Sequence, residues 1–185
     1  MAKKPNIVGG GARTNANGLH FEGRTDLLEA LRNHPDYEVD GNMVKKKGEL
    51  VAHYFEKHNL YNLLLKPQNV DYTKILSKKI LPDGALLVGD TMYIIEKKYQ
   101  AGSGSVDEKL QTCDFKRKQY IKLLAPLNYK VEYYYVLNDW FDKPEYKDVF
   151  EYIESVGCKY FIENLPFNEI GLWLSIMKNI MFQIN

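Results

Sequence analysis

Three residue types at suggestive spacing, Asp83, Glu96 and Lys98, carry the chemistry that this chain can offer. Residues 80–88 (ILPDGALLV) and 91–99 (TMYIIEKKY) are β-rich and flank the turn pair Gly89-Asp90, which predicts a β-hairpin. With a two-residue loop, Val88 faces Thr91 and Asp83 falls directly opposite Glu96, where Cβ atoms lie roughly 4.5–5.5 Å apart. Period-two alternation puts Glu96 and Lys98 on one face. Opposed carboxylates repel each other, and a divalent cation between them relieves that repulsion. Oxygen donors from one or two carboxylates suit Mg2+, which keeps several waters; Mn2+ is compatible with the same donors. Such an ion polarises a phosphoryl oxygen and acidifies a bound water, while an adjacent lysine orients that water or stabilises developing charge. The set is therefore fit to hydrolyse a phosphodiester. The bland alternative is a turn aspartate beside a solvated Glu96/Lys98 strand face, and a bulge would shift the register. Pro82 cannot donate to a ladder, so it belongs at a strand start or a bulge.

The flanking elements follow from patterning. Residues 1–18 are rich in Gly, Asn and Thr and predict loop or turn. Helical spacing runs from Leu19 to Leu31 and again over 48–64, where Leu50, Val51, Tyr54 and Phe55 recur. A small hairpin is expected over 37–45 around Asp40-Gly41. After the Gly-Ser-Gly at 102–104, residues 105–124 predict one helix: Ser105 and Glu108 have capping-box spacing. Val106, Leu110, Cys113, Tyr120 and Leu124 share a face there, with Lys109, Lys116 and Lys122 pointing elsewhere. Residues 129–138 predict a strand, 144–156 a helix, 158–163 a short strand and 168–183 a largely apolar helix. In that last helix Trp173, Met177 and Ile180 fit core or an interface better than a ligand box. The order is that of a mixed α/β domain, a central sheet flanked by helices.

Composition narrows the class. With 185 residues and 45% hydrophobic content, the chain suits one domain with a real core, not general disorder. No uncharged apolar run is long enough to span a membrane, and Met1-Ala2-Lys3-Lys4 is not followed by the apolar stretch of a secretory signal. Cys113 and Cys158 lack metal or disulfide-framework spacing, and the four histidines are scattered. His53 and His58 are five apart on an expected helix, which is not zinc-helix spacing; His20 fits a surface or packing role better than a base. The net charge of +1 hides an asymmetry: residues 74–122 hold ten Lys/Arg against six acids, and 139–169 hold eight acids against three lysines. A basic middle is compatible with a polyanion partner, although a charge run is more often a solvated face.

Pro82-Asp83, twelve intervening residues and Glu96-Lys97-Lys98 resemble the PD-(D/E)XK nuclease signature. The preceding helix, the hairpin, the following basic helix and the next strand stand in the order of that family's core. Two stretches, GGGARTNANGLHFE at 9–22 and EKKYQAGSGSVDEKLQT at 96–112, look like type II restriction endonucleases, so the resemblance spans about residues 9–138. It implies a restriction-endonuclease-like α/β core over about 19–138, an α/β extension over 139–185, and a single domain in all. It also implies that Asp83, Glu96 and the carbonyl of Lys97 bind Mg2+, and that Lys98 is the catalytic lysine. Glu22 matches an acidic residue that many such enzymes place on the first core helix, or is simply a helix-start glutamate favoured by the dipole. Gln100, on the face of Lys98, is a DNA contact or a solvated strand end. Ser103, Ser105, Lys109 and Lys116, in the Gly/Ser loop and the basic run that follows, would meet DNA phosphates.

In layout the chain looks like the small subunit of a heterodimeric type IIS restriction endonuclease. The implied activity is nicking of one strand of duplex DNA in the bacterial cytoplasm, with a larger subunit supplying recognition. A self-sufficient homodimer reading a palindrome and a repair or junction nuclease of the same fold are the nearest alternatives. Trp140, Phe141, Trp173 and Phe182 would serve as a docking surface or as core; Arg13, Asn15, Asn17, Arg24 and Asn138 are equally plausible base readers. A pure nucleic-acid-binding module would need no Asp83/Glu96/Lys98 set, and a protein-interaction module would bind no DNA even at low salt.

Overall fold

A computed structural model describes residues 21–172 apart from 22, 24 and 103–105. A seven-stranded mixed sheet runs through them in sequence order: β1 (Tyr37–Asp40), β2 (Met43–Lys46), β3 (Glu49–Phe55), β4 (Gly84–Val88), β5 (Thr91–Lys98), β6 (Lys130–Leu137) and β7 (Lys159–Ile162). The first five form an antiparallel meander; β6 and β7 add in parallel. Parallel neighbours need crossovers. These are α2 (Val106–Leu110) and α3 (Cys113–Leu124) before β6, and α4 (Lys147–Ser155) before β7; α1 (Leu27–Asn33) precedes the sheet. The architecture is mixed α/β, as the pattern of elements predicts. Among the described residues no helix is long and apolar enough to cross a membrane.

The expected hairpins form. Gly41 and Gly89, both at φ +59°, supply the left-handed backbone that two-residue loops need. The register Val88↔Thr91 through Gly84↔Ile95 carries no bulge, so Asp83 lies just outside the ladder beside Glu96. Pro82 sits before β4, its carbonyl accepting from the Lys57 N–H at 3.0 Å.

Two expectations fail instructively. Residues 48–64 are not one helix: 49–55 form β3, and a π-helical turn follows at Leu60–Leu65. β3 is buried on both faces, Ala52 and Tyr54 in one cluster and Phe55 in the other. Its near-continuous apolar run therefore mimics helical spacing. The helix expected over 105–124 is broken. The Thr112 hydroxyl donates back to the Lys109 carbonyl at 2.7 Å, an interaction that competes with helix continuation. At the N-terminal side Phe21 and Gly23 are helical, as expected, a turn follows at Thr25, and Asp26 restarts the chain as α1 by accepting from the Glu29 N–H at 3.0 Å. Of the expected 168–183 helix only a 3-10 turn at Phe167–Ile170 falls in the described residues; Trp173, Met177, Ile180 and Phe182 lie outside them.

Each face of the sheet buries its own core. Phe55, Ala85, Leu87, Met92, Ile94, Tyr133 and Tyr135 pack under α3 through Tyr120, Leu123 and Leu124. Tyr54, Leu86, Ile95, Tyr134 and Val136 pack under α1 through Leu27 and Leu31. At about 25 cal/mol per Å2 of apolar surface, these layers fix α3 and α1 over the end of β5.

Candidate active site

The hairpin delivers Asp83, Glu96 and Lys98 to one face at the end of β5. Glu96 is almost wholly buried, its side chain 5% exposed, whereas that of Asp83 is 39% exposed. The Asp83 carboxylate folds onto the neighbouring strand: its Oδ2 accepts the Lys97 N–H at 2.9 Å. Lys98 Nζ then lies 3.1 Å from Glu96 Oε2, 3.8 Å from Asp83 Oδ2 and 2.9 Å from the Lys97 carbonyl oxygen. Three oxygen acceptors thus surround one ammonium.

A fourth side chain joins them. Lys116, from α3, donates to Glu96 Oε2 at 2.9 Å, so this oxygen receives two ammoniums. The sequence pattern places Lys116 off the buried face of its helix; in the structure its ammonium reaches inward to Glu96. Helical phase carried the signal: Lys116 lies one turn from Cys113 and one turn from Tyr120, both buried on α3.

The opposite face of the same strand end holds a different group. Lys97 Nζ reaches Asp26 Oδ2 at 3.4 Å. The Tyr54 hydroxyl donates to Glu56 Oε1 at 3.2 Å. Burial pushes the Tyr54 phenol well up, and the Glu56, Asp26 and Asp83 carboxylates add to the shift, so it stays a donor. Gly84 makes room for that ring, since a Cβ there would meet Tyr54 Oη at 2.8 Å.

The remaining sequence candidates are placed as follows. Gln100 is buried, and its backbone N–H and C=O both bond to the Asn138 amide at 2.9 Å. That clamp occupies Asn138, 3% exposed, and suits it to holding the strand ends together, not to reading bases. Lys109 is exposed at the end of α2, and its carbonyl accepts the Tyr135 hydroxyl at 3.2 Å. Phe141 is core, and Trp140 donates to the Tyr146 hydroxyl at 3.0 Å. His53 stacks near Phe55 on β3, and His58 is exposed in the following loop. Glu22, Ser103, Ser105, His20, Arg13, Asn15, Asn17 and Arg24 lie outside the described residues.

Among the described residues no three His, Cys, Asp or Glu side chains gather into a metal-holding group. Two carboxylates and a backbone carbonyl are a sparser set, of the kind that Mg2+ accepts while retaining waters. The donors fit a cation on the structure's own terms: an ammonium already stands where Asp83, Glu96 and the Lys97 carbonyl converge. In comparison with known proteins, no family model matches the chain and no curated protein matches it.

Proposed function

We propose that this chain is a Mg2+-dependent DNA endonuclease with a restriction-endonuclease-like core, acting in the bacterial cytoplasm. It would nick one strand of duplex DNA beside a larger recognition subunit. The observation that carries the reading is the convergence of two carboxylates, a backbone carbonyl and a lysine on one point. The order of α1, β3–β4–β5, α3 and parallel β6 agrees with the core that the PD-(D/E)XK resemblance implies. The basic stretch around the site supplies positive charge for the DNA backbone.

Asp83, Glu96 and the Lys97 carbonyl would hold Mg2+, whose chemistry is to polarise the phosphoryl oxygen and acidify a bound water. With those oxygens on the ion, Lys98 would be free to turn its ammonium to the attacking water or to the charge developing on the phosphoryl group. Burial of Glu96 strengthens these interactions, because water screens them less.

The test is supercoiled plasmid incubated with the purified chain and Mg2+ or Mn2+, alone and with a candidate large subunit, beside Asp83→Ala. The expected outcome is second-strand cutting only with the partner, reduced on the order of 10^3-fold or more in Asp83→Ala. Site-specific double-strand cutting by the chain alone would instead mark a self-sufficient homodimer. Absence of cleavage throughout would overturn the nuclease reading.

A further inference from the structure

We infer that Lys116 is a displaceable counter-ion that couples uptake of the divalent cation to capture of the DNA phosphate. The inference rests on the nuclease reading above and adds to it an electrostatic switch.

The charges at the site set the argument. Asp83 and Glu96 carry two negative charges, and Lys98 and Lys116 carry two positive ones, all meeting around Glu96 Oε2 and Asp83 Oδ2. Without a cation these cancel, and the site has little pull on a phosphodiester. A divalent cation on the two carboxylates leaves both ammoniums in surplus, and the site turns doubly positive in a poorly screened setting.

The two lysines differ in how they can respond. Lys98 contacts all three oxygens that would hold the cation, the Lys97 carbonyl at 2.9 Å among them, so it stays at the reacting centre. The one side-chain hydrogen bond of Lys116 among the described residues goes to Glu96. Its side chain is 32% exposed, against 5% for Glu96, so it has a path outward. Its neighbours on α3 are committed elsewhere: Arg117 Nη1 approaches the Val156 carbonyl at 3.5 Å, and Lys118 donates to Asp114 at 2.7 Å. Of the 116–118 run, Lys116 is the member aimed at the site. A cation that takes Glu96 therefore releases Lys116 to a phosphate, and by linkage a phosphate that takes Lys116 favours the cation by the same factor.

The experiment is Mg2+ titration calorimetry of the full chain without DNA, followed by DNA binding in Ca2+, on wild type, Lys116→Gln, Lys116→Arg and Lys118→Gln. Lys116→Gln is expected to bind Mg2+ about tenfold tighter without DNA, a size typical of coupled sites. It is expected to bind DNA more weakly and with less dependence on the cation. Lys116→Arg should behave as wild type, and Lys118→Gln should leave Mg2+ affinity unchanged. Lys116→Met replaces the Gln variant if thermal unfolding shows the latter to be damaged. Unchanged or weaker Mg2+ binding in a folded Lys116→Gln or Lys116→Met, with wild-type binding lost in Asp83→Ala, would overturn the coupling and leave the nuclease site standing. A wild-type chain that takes up no divalent cation would overturn both.

Discussion

Lys97 and Lys98 are neighbours on β5, yet their ammoniums go to opposite faces of the sheet and meet carboxylates in contrasting ways. Lys97, 8% exposed, reaches Asp26 at 3.4 Å, and Asp26 also caps α1 through the Glu29 N–H. That carboxylate has a structural task on each oxygen, and the contact joins a helix to a strand. Lys98 shares one oxygen of Glu96 with Lys116 and sits 3.8 Å from Asp83 as well. The first arrangement fixes geometry; the second crowds two ammoniums onto one oxygen, the charge that the proposed cation would displace. Adjacent residues of one type thus separate into a fastening and a site according to how many oppositely charged groups share each oxygen.

The sharpest way to break this comparison is to shorten each lysine to its apolar stem. Lys98→Met is expected to lower DNA cleavage by about 10^2–10^3-fold, the usual cost of removing a group that stabilises developing charge. It should leave thermal stability close to wild type, because Glu96 retains Lys116. Cleavage kinetics and a melting curve on the same preparation check this. Equal activity in Lys98→Met and wild type would mean that Lys98 is only another fastening.

Gly84 is where the two faces constrain each other. It adjoins Asp83, and its missing Cβ leaves space for Tyr54 on the other side. Gly84→Ala is expected to displace the Tyr54 ring, strain its bond to Glu56 and destabilise the fold by about 1–3 kcal/mol, as overpacking does. Cleavage should fall with it, since Asp83 is held by the Lys97 N–H one residue away. Pairing Gly84→Ala with Tyr54→Ala tests the cause: removing the ring should restore part of the lost activity.

What the sequence made legible follows physical lines. The hairpin was readable because a two-residue turn at Gly89-Asp90 leaves one register in which β4 and β5 bury their apolar residues. That register alone brings Asp83 beside Glu96 and sets Lys98 on the same face. β3 was misread because both its faces are buried, which erases alternation. The contact of Lys116 with Glu96 was opaque because a charged residue on an inner helix face runs against hydrophobic patterning, and its partner belongs to a strand on the other side of a turn-broken crossover. Asn138 was equally opaque: its partner is the backbone of Gln100, and backbone partners leave no mark on residue type.

On the other face, Lys97→Met should do the reverse of Lys98→Met. Losing the contact with Asp26 is expected to cost about 1–2 kcal/mol, below the range for a fully buried pair because Asp26 is 27% exposed. The cleavage rate of the folded variant should stay within a few-fold of wild type, since the Lys97 N–H and carbonyl that serve the site belong to the backbone. A rate loss as large as that of Lys98→Met, measured below the melting range, would mean that both lysines serve the reaction.

The smallest effect separates the two tasks of Asp26 itself. Asp26→Asn keeps an oxygen for the Glu29 N–H and removes the charge that faces Lys97, whereas Asp26→Ala removes both. Asn and Asp are comparable N-caps, and losing the cap altogether costs typically about 1 kcal/mol. Asp26→Asn is therefore expected to destabilise by about 1–2 kcal/mol, as Lys97→Met does by breaking the same pair, and Asp26→Ala by about 1 kcal/mol more. Chemical denaturation of the two variants reads the difference. If Asp26→Asn alone matched Asp26→Ala, the cap would contribute nothing and the carboxylate would matter only as the counter-charge of Lys97. Cleavage lost in Asp26→Asn at full stability would move Asp26 from the fastening to the site, and with it the distinction between the two faces of β5.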